Sequence, residues 1–161
     1  MPSKKKGRKK HKRRKLYETA KDRKNEREII SVVEEAWGVE VQALPRKYSF
    51  DFCIVQDVGG NFNERYEIQT FCEIKNRSIK MTDYEFIVVE LTKYFEAIKV
   101  YESTEIPTYL FYKFTDGLYY HEFGKINKPF YKYTMGGRKD RNDPQDHTPQ
   151  LLIPTDMLIK V

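Results

Sequence analysis

Cysteine is scarce in this chain: Cys53 and Cys72 are the only two among 161 residues. Two thiols cannot build a disulfide scaffold, and their surroundings hold no zinc-binding spacing. No apolar run approaches the ~20 residues needed to span a bilayer, so no membrane partner is expected. The opening residues are basic and polar with no apolar stretch behind them, and a secretory signal is therefore not expected either. His11, His121 and His147 fall in a basic segment, a strand and a polar loop, which is no metal-binding pattern. Gly136-Gly137-Arg138 is too short for a phosphate loop, and no serine or cysteine stands in a nucleophile elbow. An intracellular, unsecreted protein with reduced thiols is expected, in the cytoplasm or at a nucleoid or nucleus.

Charge is present in quantity and unevenly spread. The formal net charge is +6, yet residues 1–15 carry ten basic side chains and no acid. These are Lys4, Lys5, Lys6, Arg8, Lys9, Lys10, Lys12, Arg13, Arg14 and Lys15, and the remaining chain has a net charge of −4. A block of like charge repels itself and buries nothing, so residues 1–20 are expected to form a disordered basic tail ahead of one domain over 21–161. Such a tail suits nucleic-acid phosphates, each contact releasing a counterion. A nuclear address or a solubilising tail would look the same in sequence.

Hydrophobic periodicity orders the rest. Ile29, Ile30, Val33 and Trp37 fall at helical spacing within 21–37, and Gly38 supplies a stop. Glu26 extends that core-facing stripe backwards, although Asn25 with Glu28 also allows a helix start there. Residues 39–44, 48–55 and 66–75 read as strands, the last two joined by a long connection through Gly59-Gly60-Asn61. A second helix is expected over 83–101, with Thr82 and Glu85 as a capping box and Ile87, Leu91, Tyr94, Phe95 and Ile98 as its stripe. Residues 108–114 and 118–123 flank Thr115-Asp116-Gly117 as a hairpin. Residues 125–149 read as a loop, followed by a short strand at 151–153 and a closing segment at 156–161. The order α-β-β-β-α-β-β suits an α/β fold with a mixed sheet flanked by helices.

Two charged positions break the apolar logic of their strands. Asp51 stands between Phe50 and Phe52, and a buried carboxylate demands a cation or a hydrogen-bond partner. Glu73 and Lys75 are two residues apart and share one face, while Ile68, Thr70, Cys72 and Ile74 take the other. If the two strands pair as a hairpin, Asp51 and Glu73 lie side by side with Lys75 adjacent. Carboxylates in contact repel unless a divalent cation or a shared proton lies between them. Hard oxygen donors without soft ligands favour Mg2+ or Mn2+ over zinc. Lys75 could then orient or deprotonate a water for attack on a phosphate. The same residues also permit a structural Asp51–Lys75 ion pair with Glu73 as an edge charge. By parity, Cys53 shares a face with Asp51 and Cys72 lies opposite Glu73, so the two thiols are not expected to bridge.

Asp51…Glu73-Ile74-Lys75 resembles the signature of the PD-(D/E)xK nuclease superfamily, and its arrangement is most similar to archaeal Holliday junction resolvases. Glu26-Arg27-Glu28-Ile29-Ile30, then Gly38-Val39-Glu40-Val41 and Pro45, resemble the first helix and strand of those enzymes, over about residues 21–123. Ser49-Phe50 stands where the family name has proline before the aspartate. The resemblance implies a restriction-endonuclease-like core and a metal-dependent nuclease acting on DNA, on branched or structured DNA in the resolvase case, with a 5′-phosphate product. It implies that Asp51, Glu73 and the backbone carbonyl of Ile74 hold Mg2+ or Mn2+. It further implies that Lys75 serves the attacking water and that Glu26 helps bind metal or water. Lys93, in the following helix, is the candidate for the lysine or glutamine that members often place there. Resolvases are dimers, which makes a homodimer a candidate assembly.

Lys125, Lys128, Lys132, Arg138, Lys139 and Arg141 interleave with aromatic residues in the 125–141 segment, and Arg138 and Lys139 with Lys93 and the tail are the expected DNA contacts. An exonuclease or a restriction- or repair-type nuclease of the same fold would show the same core pattern. A nucleic-acid-binding protein that keeps the fold without catalysis is the alternative outside the enzymes.

Overall fold

In the computed structural model, residues 19–59, 65–124, 131–137 and 143–161 are described. The tail residues Lys4 to Lys15, together with Arg138 and Lys139, lie outside them. Helix α1 spans Ala20–Trp37. Its N-cap is Thr19, whose side chain and backbone exchange hydrogen bonds with Asp22, so the alternative start at Asn25 and Glu28 is not used. Gly38 closes the helix in the left-handed region at φ 63° and returns its N–H to the Glu34 carbonyl.

Strands β1 (Glu40–Ala43), β2 (Phe52–Asp57) and β3 (Tyr66–Asn76) follow. Then come a 3-10 turn at Met81–Asp83, β4 (Phe86–Glu90), α2 (Leu91–Thr104), β5 (Thr108–Phe114) and β6 (Gly117–Phe123). The chain continues through β7 (Lys132–Gly136), β8 (Thr148–Pro154) and β9 (Ile159–Lys160). The main sheet has the order β1-β2-β3-β5-β6-β9, with β3 and β5 parallel and the other pairs antiparallel. This is the mixed sheet with flanking helices of a restriction-endonuclease-like core. Among the described residues no helix is long and apolar enough to cross a membrane.

Three expectations are corrected. The helix expected over 83–101 begins only at Leu91, because Phe86-Ile87-Val88-Val89 forms β4. That run is aromatic and β-branched, buries Ile87 and Val89 in alternation, and finds a partner in β8, which sequence periodicity alone does not reveal. Thr82 lies in the 3-10 turn, where Asp83 instead accepts the Lys80 N–H at 2.8 Å. The segment expected as a loop over 125–149 contains β7, and β8 is longer than the three residues foreseen. β7, β8 and β4 form a second, three-stranded antiparallel sheet. Finally, β2 starts after Asp51, since Tyr48 closes a turn onto the Pro45 carbonyl.

The main sheet divides two apolar clusters. On one face α1 packs Ile29, Val33 and Trp37 against Phe52, Ile54, Cys72, Ile74 and Phe111. On the other, α2 and the second sheet bring Tyr94, Ala97, Val89, Leu151 and Ile153 against Leu110, Tyr112 and Phe123. The β2–β3 register pairs Phe52 with Cys72 and Cys53 with Phe71, so the two cysteines take opposite faces, and both are buried and free. Between Ile54 and Val55 the register shifts by one residue, leaving Gln69 as the extra residue of a β-bulge.

Gly124, just after β6, shows how closely α2 is held. It lies at φ 91°, and a Cβ there would meet the Ala97 Cβ at 2.6 Å and its carbonyl carbon at 2.7 Å. Gly124→Ala should therefore cost about 2–4 kcal/mol through backbone strain and overpacking. The measurement is the urea midpoint, expected to fall at unchanged slope. An unshifted midpoint would mean that α2 can back away freely.

Candidate active site

β3 carries the charged face. Its antiparallel partner β2 and parallel partner β5 set Phe71, Glu73 and Lys75 on the face that also bears Leu110 and Tyr112. Asp51 sits one residue before β2 and is tied to β3 by two hydrogen bonds. Its N–H donates to the Cys72 carbonyl at 3.0 Å, and its Oδ2 accepts the Ile74 N–H at 3.0 Å. Residues 51 and 73 thus meet across the hairpin. A strand residue points its N–H and C=O toward the same neighbour, so the Ile74 carbonyl faces the segment that carries Asp51.

Glu73 is almost wholly buried, with 2% of its surface exposed. Lys75 Nζ donates to its Oε1, and Lys93 Nζ donates to its Oε2 at 2.8 Å. Lys93 also donates to the Ser49 carbonyl, which joins α2 to the segment leading into Asp51. The alternative of an Asp51–Lys75 ion pair is therefore not what forms: both lysines bracket Glu73.

These contacts decide the protonation states. Burial alone would push the Glu73 carboxyl upward, but Lys75 and Lys93 hold it below its ordinary value. For Lys75, desolvation disfavours the ammonium while Glu73 outweighs it, so the amine stays charged. Asp51 is pushed the other way, first by burial and then by the Glu73 charge, against the Ile74 hydrogen bond and the more distant lysines. One carboxylate is satisfied by ammonium groups. The other is desolvated beside a like charge.

Carboxylate oxygens are the hard donors a divalent cation takes. Of the two carboxylates, Asp51, desolvated beside the Glu73 charge, is the one short of positive charge, whereas both Glu73 oxygens accept from ammonium groups. Glu26 lines, with Asp51, Arg23, Arg27 and Arg46, a cavity of about 530 Å³ on the α1 side. Among the described residues no three His, Cys, Asp or Glu side chains converge as a ready-made cation cage.

Glu73, Lys75 and Lys93 open instead into a cleft of about 650 Å³. Its opposite wall comes from the second sheet, where Glu90, Gln150 and Thr134 stand in cross-strand register. Sequence reasoning missed these three, since nothing local announces that 86–90 pairs with 150–154. It also missed Arg77 in the same cleft, although the alternation that links Glu73 to Lys75 reaches it directly.

The electrostatics give a stability test. An Asp51 carboxyl held above its ordinary pKa in the folded state means that its ionised form opposes folding at neutral pH. Asp51→Asn keeps an acceptor for the Ile74 N–H and removes the charge, so it should raise Tm at pH 7 without divalent metal. The gain should vanish as pH falls below the ordinary carboxyl value, where the wild-type side chain is protonated too. A lowered Tm at pH 7 would show that the charge is already compensated.

No curated protein matches the chain. A family profile described as "Phage putative PDDEXK endonuclease" matches residues 12–161, which takes in α1, both sheets and the whole charged face of β3. The match covers most of the chain, and the chain belongs to this phage PDDEXK endonuclease family.

Proposed function

We propose that the protein is a divalent-metal-dependent endonuclease that hydrolyses DNA phosphodiester bonds at the Asp51–Glu73–Lys75 site. The observation that carries this reading is the Asp51 carboxyl held against β3 beside the buried, lysine-bracketed Glu73. Asp51, Glu73 and the Ile74 carbonyl would hold Mg2+ or Mn2+. When bound, such an ion supplies Lewis-acid stabilisation of charge developing on phosphate oxygens.

The chain's own groups do the rest. Lys75, kept charged by Glu73, donates hydrogen bonds that position the attacking water or the phosphate oxygen it approaches. Lys93 fixes the Glu73 carboxylate from the α2 side and anchors the Ser49 carbonyl, so both carboxylates keep their mutual placement. Attack of water at phosphorus breaks the bond to the 3′ oxygen and leaves a 5′-phosphate, as the superfamily resemblance implies. Glu26, on the other side of Asp51, is the candidate for holding a second water or metal contact.

The resemblance of 26–30 and 38–41 to archaeal junction resolvases makes four-way DNA the leading substrate, with a homodimer as the assembly that would cut it symmetrically. Linear and nicked duplexes are the comparison substrates. The full chain should cut none of these in EDTA and should cut upon addition of Mg2+. Lys75→Ala should lower kcat by about 10²–10⁴-fold, and Asp51→Ala should fall to the metal-free level. Equal cleavage by all three proteins would place the activity elsewhere. Absence of cleavage by the wild type on every substrate would favour the non-catalytic DNA binder. If four-way DNA is cut no faster than plain duplex, the junction preference is wrong.

The basic tail is assigned to the phosphate backbone. Removing residues 1–15 should weaken DNA binding and flatten the plot of log affinity against log salt by several units, each phosphate contact contributing about 0.9. An unchanged slope would exclude the tail from the interface.

A further inference from the structure

The row of charge on β3 does not end at Lys75. Arg77 follows immediately after the strand and is kept in line by its N–H to the Lys113 carbonyl at 2.8 Å. Residues two apart share a face, so Glu73, Lys75 and Arg77 enter the cleft in sequence, about 6.7 Å from one to the next. The guanidinium carbon lies 5.9 Å from the Tyr112 ring centre, and Nη1 donates to the Asn76 carbonyl at 3.3 Å. Tyr112 is a fixed platform: it is buried, and its hydroxyl donates to the Val88 carbonyl at 2.8 Å.

Among the described residues no carboxylate forms an ion pair with Arg77. Glu73 is taken by Lys75 and Lys93, and Glu90, in the same cleft, meets the Thr92 hydroxyl. An exposed guanidinium is thus held over an aromatic ring next to a second cation, and among the described residues none of the carboxylates lining the cleft, Glu73, Glu90 or Asp146, forms an ion pair with it.

We propose that Arg77 binds the DNA phosphate adjacent to the scissile one, in the cleft shared with Glu73 and Lys75. This rests on reading that cleft as the nuclease site. The planar fork of donors matches phosphate oxygens in pairs, which an ammonium cannot do. Stacking on Tyr112 limits the rotamers lost on binding. The spacing from Lys75 is comparable to that of neighbouring phosphates on one strand. Across the cleft of about 650 Å³ the facing wall is formed by Thr134, Gly136, Gly137 and Gln150 of the second sheet and the segment after it.

The test uses the full chain and two substitutions, Arg77→Ala and Arg77→Lys. On a cleaved oligonucleotide, Arg77→Ala should raise KM about tenfold with little change in kcat, and Arg77→Lys should recover only part of the loss. Neutral methylphosphonate linkages placed singly along the strand should slow the wild type at one position next to the cut and leave Arg77→Ala indifferent there. In EDTA, binding of the same oligonucleotide by fluorescence anisotropy should show a salt slope smaller by about one for Arg77→Ala. An unchanged slope with unchanged KM, or equal sensitivity of both proteins to the neutral linkage, overturns the proposal. If the wild type cuts nothing, the nuclease reading fails while the slope in EDTA still decides for or against Arg77.

Discussion

A carboxylate sealed from water beneath two ammonium groups is the contact on which the rest of this architecture depends. Isolated burial of such a charge costs several kcal/mol even after relaxation, and removing one partner of a buried pair costs about 3–5 kcal/mol. Glu73 is tolerated because Lys75 reaches it from the same strand and Lys93 from α2. Lys93 in turn holds the Ser49 carbonyl, so one ammonium ties together the helix, the central strand and the approach to Asp51. Packing geometry and chemical geometry are therefore the same constraint. The asymmetry between the carboxylates follows from it: Glu73 has two cations and Asp51 has a backbone amide.

The second sheet explains what the C-terminal third contributes. β4 is placed between the central strand and α2 in the chain, yet it pairs with β8, about sixty residues later. That pairing buries Val89, Leu151 and Ile153 on one face and leaves Glu90, Gln150 and Thr134 aligned on the other. The extension thus turns an open sheet face into a cleft with two walls, one rich in cations and one polar.

Legibility in the sequence followed the range of the interactions. Thr108–Phe114 and Gly117–Phe123 were readable because a two-strand hairpin around Asp116-Gly117 is a local event. The Asp51…Glu73-x-Lys75 pattern was readable because charges inside apolar strands need partners, and strand parity says which face they share. The N-terminal half of the expected second helix misled, since Ile87 and Leu91 satisfy helical spacing while Val88-Val89 satisfy a strand, and a distant partner decided the matter. Lys93 meets Glu73 because α2 begins at Leu91, a boundary that helical spacing in the sequence does not mark. Gln150 and Thr134 had no local signature at all, being brought to the cleft by cross-strand pairing alone.

The bulge at Gln69 interrupts the β2–β3 ladder between an inner and an outer stretch. On the inner side, Phe52 with Cys72 and Cys53 with Phe71 lock the ladder that leads to Asp51. On the outer side, Gln56 and Asp57 lie toward the surface, with Tyr66 and Glu67 opposite them. A residue gained or lost at the outer end can be absorbed where the ladder is already out of step, without sliding one carboxylate past the other. Evolution can lengthen, shorten or redecorate that arm while the chemistry at its base keeps its alignment.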